Sequence, residues 1–369
     1  MSKILSGAKD YLEVFNGFRK DGHFSQVGKV LGKGSFGEVR DIILKNKVMA
    51  GKVVRSDNFE KNGEFIAYDL RGQNIIKISR IIQKRINGLD YFLIIMEKAI
   101  LRDLGKLNDY FHNHNLLKLI FDPFNEIAGD SLLRFYSKQI VNAMEVLDRN
   151  NYVHFDLNPE NFLISISLII KLSDFRLLKK INDKERLKIP GGANDYFNLE
   201  YFNEEKILGE DARKQDYFSF GAMLFFLKYG RHMLKIKKSD KKENNCIMDI
   251  LKGIEREIFQ IRTEKFTDQD FINFISVLIG YKPNDRPNSE EIYRNKWLNK
   301  NLEEIDKISK INSFDESNLI LELQKSDFLI NNSRKYRKNF DEKNELDNIN
   351  YKNNKKGKFK FGKRKKNIN

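Results

Sequence analysis

A polar loop at residues 154–161 carries the side chains with the clearest capacity for chemistry. It reads His-Phe-Asp-Leu-Asn-Pro-Glu-Asn and stands between an apolar helical run and the strand-like segment 162–164. Asp156 offers a carboxylate that accepts hydrogen bonds, and Asn161 offers an amide across a proline-fixed turn. Together they can orient a hydroxyl group and hold a cation beside it, which is the chemistry of phosphoryl transfer. Taken alone, the same residues could simply cap a turn and satisfy backbone groups.

A glycine-rich turn near the N-terminus could hold phosphate groups. Glycines let backbone N–H groups approach phosphates where a side chain would block them. Apolar residues at 24–31 predict a strand before this turn and a second strand follows it, whereas a dinucleotide-binding fingerprint should run straight into a helix. The predicted nucleotide-binding residues here are Leu31, Gly32, Lys33, Gly34, Ser35, Phe36, Gly37 and Val39.

Two further charged residues stand in or beside predicted strands. Lys52 lies inside the apolar segment 48–54, where a lysine would normally be exposed on the other face of the strand. Asp174 follows a strand predicted at 168–173 and begins the triplet Asp-Phe-Arg. Neither residue would indicate a site by itself, so their order relative to the loop and the turn matters.

The elements that must position these residues follow from apolar periodicity. Apolar residues at i, i+3 and i+4 predict a helix at 131–149 that leads into the polar loop. The run at 91–97 is too short to span a membrane and predicts a buried strand. A further helix is predicted at 59–71, and the next strand is predicted to begin at Asn74. The pattern at 107–130 suggests an inserted helix of unassigned purpose.

In their order along the chain, these segments resemble the motifs of eukaryotic protein kinases of the serine/threonine group. The loop resembles H-R-D-L-x-x-x-x-N, the turn resembles G-x-G-x-x-G-x-V, and the strand with Lys52 resembles V-A-I-K, while Asp174 corresponds to the Asp of D-F-G. The resemblance covers about 24–298. It implies an α+β, two-lobed protein kinase fold, with a small, mainly antiparallel-β N-lobe containing one helix at 24–97 and a larger, mainly α-helical C-lobe at 98–298.

The resemblance also implies where a nucleotide binds. Mg-ATP would lie between the lobes under the glycine-rich turn, with Mn²⁺ as a substitute for Mg²⁺. Lys52 would contact the α and β phosphates, and Glu64 would be its acidic partner, with Glu60 as the other candidate. The other nucleotide-binding positions carried over from the family are Ala50, Met96, Glu97, Ala99 and Leu163.

The same resemblance assigns the reaction. Asp156 would accept or orient the proton of a serine or threonine hydroxyl in a protein substrate, while Asn161 and Asp174 would hold the metal. Asp216 would brace the backbone of the catalytic loop, and Trp297 would close the domain. An ATP-dependent serine/threonine protein kinase is therefore expected, working by positioning and charge stabilisation without a covalent enzyme intermediate.

Several positions depart from the family pattern. Phe155 replaces an arginine that binds a phosphorylated activation loop, and residues 174–200 contain no serine or threonine, so activity is expected without phosphorylation of such residues there. Asn158, kept as a catalytic candidate, stands where the family has a lysine near the γ-phosphate, and Ala193 replaces a threonine that touches that lysine. Losing the lysine's charge should slow the reaction unless another cation, such as Arg176, replaces it.

Two other functions compete with the kinase. Asn158, Arg176 and Ala193, together with Asn-Leu at 198–199, favour a pseudokinase that binds nucleotide or partner proteins as a scaffold without transferring phosphate. A regulator that is tethered to a membrane or to nucleic acid through its tail is the third hypothesis. The first is preferred because most residues that contact metal or phosphate in the family are present.

Composition sets the broader class. The chain has 369 residues, a formal net charge of +15 and one cysteine, so no internal disulfide is expected and a reducing compartment is its natural location. Residues 1–23 are a short polar lead that lacks the apolar run of a signal peptide, and no transmembrane segment is predicted. These features predict a cytoplasmic protein.

The tail at 299–369 is the most basic part of the chain. Residues 352–366 contain nine Lys and Arg with no acidic residue, and disorder is predicted from about residue 340. Such a segment could contact an acidic membrane surface, nucleic acid or a nuclear import receptor, and would then place the protein at a membrane or in the nucleus. A merely solvated tail explains the composition equally well.

Overall fold

The computed structural model of the chain describes residues 11–34, 37–58, 63–99, 103–108, 126–165, 169–190, 196, 206–233, 246–263 and 268–300. Three predicted features fall largely or wholly outside these residues. They are the insertion at 107–130, the end of the activation segment at 192–200 and the tail beyond residue 300.

An antiparallel sheet of five strands forms the N-terminal lobe, in the order β1-β2-β3-β5-β4. The strands are β1 (Gln26–Gly34), β2 (Gly37–Leu44), β3 (Lys47–Arg55), β4 (Ile78–Ile86) and β5 (Leu89–Met96). The central strand β3 carries Lys52, which pairs with Val39 of β2 on one side and Ile94 of β5 on the other. Because side chains alternate along a strand, Lys52 shares a face of the sheet with Val54, whereas Val53 points to the opposite face.

Helix α1 (Tyr11–Lys20) covers that opposite face. Phe15 and Phe18 are completely buried in a cluster with Val53 and Leu93. The prediction of a polar lead over residues 1–23 is wrong for this helix, whose apolar residues follow helical spacing. The sheet therefore has an apolar layer on each face, and residues 11–20 are part of the folded lobe.

The segment after β3 differs from its predicted course. Instead of a helix over 59–71, the described part contains a short helix α2 (Glu64–Ala67). The strand predicted to begin at Asn74 begins at Ile78, because Asn74 and Ile76 form hydrogen bonds with the other lobe. Asn74 O accepts from Leu172 N at 2.8 Å, and Ile76 N donates to Leu172 O at 2.9 Å.

The C-terminal lobe is mainly helical. Its helices are α3 (Glu126–Arg149), α4 (Gly209–Tyr229), α5 (Cys246–Thr263), α6 (Gln269–Leu278) and α7 (Ser289–Tyr293). Most of α4 is buried, and Trp297, the residue predicted to close the domain, is completely buried against Phe271 and Phe274. Within the described part of the chain, no helix combines the length and the apolar character needed to cross a membrane.

Short strand pairs at the lobe boundary shape the loops between them. The pairs are β6 (Tyr152–Val153) with β9 (Lys179–Lys180), β7 (Phe162–Ile164) with β8 (Ile170–Leu172), and β10 (Arg186–Lys188) with β11 (Lys206–Leu208). All three pairs are antiparallel. They fix the two ends of the polar loop and the segment that follows Asp174.

The packing of α1 generates a stability prediction. Phe18→Ala is expected to lower the free energy of unfolding by about 3–5 kcal/mol, because a buried phenylalanine leaves both lost burial and a cavity. Urea denaturation followed by circular dichroism measures this change. Leu12→Ala, at an exposed position of the same helix, should cost less than about 1 kcal/mol. Equal losses in the two variants would contradict the packing described here.

Candidate active site

Lys52 is the charged centre of the cleft between the lobes. Its Nζ forms an ion pair with Glu64 Oε1 and a second one with Asp174 Oδ1 at 3.0 Å. Burial alone would lower the pKa of Lys52, but the two carboxylates outweigh it and raise the pKa above its ordinary value. Lys52 is therefore held as a cation, and the structure joins it to Glu64, the partner preferred over Glu60 in the sequence.

Asp174 reaches Lys52 from the end of β8 in a left-handed backbone conformation, with φ of +56°. Burial would raise the pKa of its carboxyl, but the charge of Lys52 dominates and the pKa falls below its ordinary value. The next residue, Phe175, is buried in the core and contacts the His154 ring with centroids 5.6 Å apart. Asp174 is thus an ionised carboxylate fixed by its neighbours.

The polar loop at 154–161 is anchored by a buried carboxylate. Asp216 of α4 accepts hydrogen bonds from the N–H groups of His154 at 2.7 Å and Phe155 at 3.0 Å. These bonds confirm the predicted bracing by Asp216 and hold Phe155 in a left-handed conformation with φ of +62°. Burial lowers the pKa of His154 to about 4, so its ring is neutral at physiological pH.

Two amide side chains hold Asp156. Asn161 Nδ2 donates to Asp156 O at 2.7 Å, and Asn158 Nδ2 donates to the same oxygen at 3.0 Å. Asn158 Oδ1 in turn accepts from the N–H groups of Glu160 and Asn161, so it caps the 3₁₀ turn Pro159–Asn161. The side chain of Asn158 is therefore committed to the loop, which stays rigid around Asp156.

Asn161 and Asp174 stand at one end of the β7–β8 hairpin. Phe162 pairs with Leu172, and Ser173 donates to Asn161 O through both N, at 2.8 Å, and Oγ, at 2.9 Å. An amide and a carboxylate are the hard oxygen donors that Mg²⁺ prefers, and Mg²⁺ typically needs one or two carboxylates beside substrate phosphates and water. The described residues contain no cluster of three metal-binding His, Cys, Asp or Glu, so this smaller set is the candidate metal site.

The glycine-rich turn contains two kinds of glycine. A Cβ added at Gly37 would lie 2.2 Å from Val53 O, so strand packing alone requires glycine there. At Gly32 and Gly34 an added Cβ would meet no described atom within 4 Å. Their lack of a side chain is thus not explained by the described packing and suits the close approach of a ligand. Residues 35–36 lie outside the described part of the chain.

The other predicted nucleotide-binding positions come from both lobes. Ala50 pairs with Met96 across β3 and β5, and Met96 and Leu163 both pack against the main core. Glu97 N donates to Lys77 O at 3.0 Å, and the Glu97 side chain pairs with Lys171 at 3.0 Å. The predicted role of Ala99 stays a prediction.

Gly63 helps to form the site, and the sequence motifs do not predict it. It precedes α2, and a Cβ placed there would lie 2.2 Å from Phe175 O and 2.4 Å from Leu178 Cβ. Its N–H donates to Arg176 O at 3.3 Å. Gly63 therefore lets α2 lie directly against the backbone after Asp174. A glycine inside a predicted helix was the signal that could have found it.

Comparison with known proteins decides the family. The sequence model of the protein kinase domain matches residues 25–298. The chain belongs to the protein kinase family. The five-stranded antiparallel sheet followed by a mainly helical lobe confirms the predicted fold, and the kinase domain implies a nucleotide site of the kind assembled around Lys52.

The individual relatives are distant in sequence from this chain. Serine/threonine-protein kinase MRCK beta of Rattus norvegicus is 24% identical over 237 residues, which cover 62% of this chain but 13% of the relative. Carbon catabolite-derepressing protein kinase of Candida glabrata is 25% identical over 290 residues, covering 76% and 42% of the two chains. Aurora kinase of Saccharomyces cerevisiae is 26% identical over 282 residues, covering 75% and 69%.

The close approach at Gly63 can be tested by stability. Gly63→Ala is expected to lower the free energy of unfolding by roughly 1–3 kcal/mol, because the new methyl group would meet atoms of Phe175 and Leu178 in the packed turn at 175–178. Gly253→Ala is the matched control, since a Cβ there meets no described atom within 4 Å and lies inside α5. It should be neutral or stabilising by up to about 1 kcal/mol in chemical denaturation. A neutral Gly63→Ala would refute the contact.

Proposed function

We propose that this protein is an ATP-dependent protein kinase that transfers the γ-phosphoryl group of Mg-ATP to serine and threonine hydroxyls of protein substrates. The observation that carries this proposal is the partly buried Lys52, which forms ion pairs with both Glu64 and Asp174. This arrangement fixes the Lys52 cation on the strand next to β2, which follows the glycine-rich turn, and the Asp174 carboxylate beside that cation. The names of the relatives MRCK beta and Aurora kinase support the same reaction class.

Each residue has a defined task in the proposed reaction. Lys52 holds the α and β phosphates, and Asn161 and Asp174 hold Mg²⁺, which neutralises phosphate charge when bound. Asp156 accepts the proton of the substrate hydroxyl as the new P–O bond forms and the bond to the ADP oxygen breaks. Asn158 keeps Asp156 in place through the hydrogen bonds of the loop. The catalytic contribution is orientation and charge.

The activation segment is proposed to be held without phosphorylation of Ser or Thr. Phe155 packs in a buried apolar cluster with Val153, Ile181 and Ile189. Ile181 and Ile189 belong to the segment after Asp174, which also pairs with β6 through β9. In the family an arginine and a phosphate hold the activation segment, whereas here burial of apolar side chains would hold it. Such an attachment needs no modifying enzyme.

A pseudokinase remains the second candidate, and one observation favours it. Asn158 is neutral and occupied by the loop, so it cannot supply a charge to a transferring phosphoryl group. A scaffold would keep nucleotide binding through Lys52 and lose transfer. The cytoplasmic location and the contacts of the basic tail stay predictions in either case.

Phosphate transfer from labelled Mg-ATP to a basic test protein and to the kinase itself tests the proposal. Asp156→Asn and Asp174→Asn should each reduce transfer by at least about 100-fold, because the first removes the proton acceptor and the second a metal-binding charge. Asp69→Asn, which removes an exposed carboxylate after α2, should leave transfer unchanged. An inactive parent that is still stabilised by nucleotide in thermal denaturation would identify a pseudokinase.

The apolar attachment of the activation segment gives a separate prediction. Phosphatase-treated protein should keep its rate, whereas Ile189→Asp should lower kcat by about tenfold or more, because a charge cannot stay buried beside Phe155. Lys184→Asp, in an exposed turn of the same segment, is the control and should have little effect. Loss of activity on phosphatase treatment would contradict the proposed attachment.

A further inference from the structure

No residue near Asp156 has yet been assigned to stabilise the negative charge of the phosphoryl group in transfer. A phosphoryl group in transfer carries negative charge on three equatorial oxygens, and fixed cations stabilise it. Lys52 is already shared between two carboxylates, Glu64 and Asp174. Asn158 carries no charge, and its amide is bonded within the loop. A further cation on the side of the site where Asp156 lies would add to the charge that Lys52 and a bound Mg²⁺ supply.

Arg176 is a cation in that position. Its Nη2 lies 3.8 Å from Asp156 Oδ2, and its side chain is about a quarter exposed. It also contributes, after burial and Lys52, to the electrostatic environment of the Asp174 carboxyl and favours its charged form. The guanidinium therefore lies beside the carboxylate assigned as proton acceptor and is close enough to the carboxylate assigned to the metal to favour its charged form.

The backbone of Arg176 is fixed by neighbouring hydrogen bonds, whereas its side chain makes a long contact with Asp156. Phe175 is buried, Leu178 N donates to Phe175 O at 2.9 Å, and Arg176 O accepts from Gly63 N at 3.3 Å. The separation of 3.8 Å from Asp156 is longer than the 2.7–2.9 Å typical of a charge-assisted hydrogen bond. An anion placed near Asp156 could thus take a stronger bond from the guanidinium than the Asp156 contact provides.

We propose that Arg176 is a catalytic residue whose guanidinium binds the transferring phosphoryl group and supplies the positive charge that Asn158 does not supply. This inference rests on the proposed kinase function. As the substrate oxygen bonds to phosphorus and the bond to the ADP oxygen breaks, the hydroxyl proton passes to Asp156. Arg176 keeps its own protons throughout, because guanidinium does not deprotonate in proteins, and acts through charge and N–H donation.

Steady-state kinetics with Mg-ATP and a test protein measure the effect. Arg176→Gln, which removes the charge and keeps a polar side chain, should lower kcat by roughly 100-fold to 1000-fold. The KM for ATP should rise by no more than about tenfold, so that most of the loss appears in kcat and therefore concerns the transition state. Arg176→Lys should retain kcat within about tenfold, which a purely structural role of the guanidinium would not produce. Lys180→Gln removes an exposed cation of the same segment and should match the parent.

Calorimetric titration gives a readout that does not depend on turnover. Arg176→Gln should weaken binding of a non-hydrolysable ATP analogue by about tenfold and leave ADP binding within about twofold, since the guanidinium contacts the terminal phosphoryl group alone. Equal weakening of both nucleotides would overturn the proposal. Thermal denaturation shows whether each variant is folded.

The outcomes separate this inference from the function on which it rests. An active parent whose Arg176→Gln variant keeps its kcat would overturn the role of Arg176 and leave the kinase proposal intact. A rise in kcat would also overturn it and would make the contact with Asp156 inhibitory. A parent without phosphate transfer would refute both proposals together.

Discussion

A partly buried lysine with two carboxylate partners is the interaction on which the site depends. Lys52 comes from the central strand of the sheet, Glu64 from α2 and Asp174 from the end of β8, so three separate elements must meet at one atom. A buried charge without its partner is strongly unfavourable, and removal of either acid would leave the lysine poorly compensated. Three features bring these side chains together: the register of the sheet, the close approach at Gly63 and the left-handed backbone at Asp174.

The polar loop at 154–161 is held by neutral amides, whereas Lys52 is held by ion pairs. Asn158 and Asn161 bind the Asp156 backbone, and the one carboxylate that anchors the loop, Asp216, receives backbone N–H groups. The loop therefore keeps its shape without any cation of its own. This division lets charge near Asp156 be supplied by another segment, and Arg176 is the residue whose position fits that task.

Site residues could be predicted from the sequence where a short segment contains the residue types and the spacing that the chemistry requires. The glycine-rich turn, the strand with Lys52 and the loop with Asp156 each keep type and spacing together, so order along the chain identified them. Contacts set by tertiary packing could not be read in this way. The clash that forbids a side chain at Gly63 exists only after α2 meets the backbone at 175–178.

Helix α1 was predictable from its apolar spacing, but it lies outside the part of the chain that resembles kinases. Tyr11, Val14, Phe15 and Phe18 follow helical spacing, yet they precede the part of the chain that resembles kinases and were read as a lead. Their helix changes what counts as the folded unit. A fragment beginning at residue 25, where the family match starts, would expose the apolar face of the sheet to water and would be prone to self-association. For expression and crystallisation, the useful start of this protein lies ahead of the boundary that homology gives.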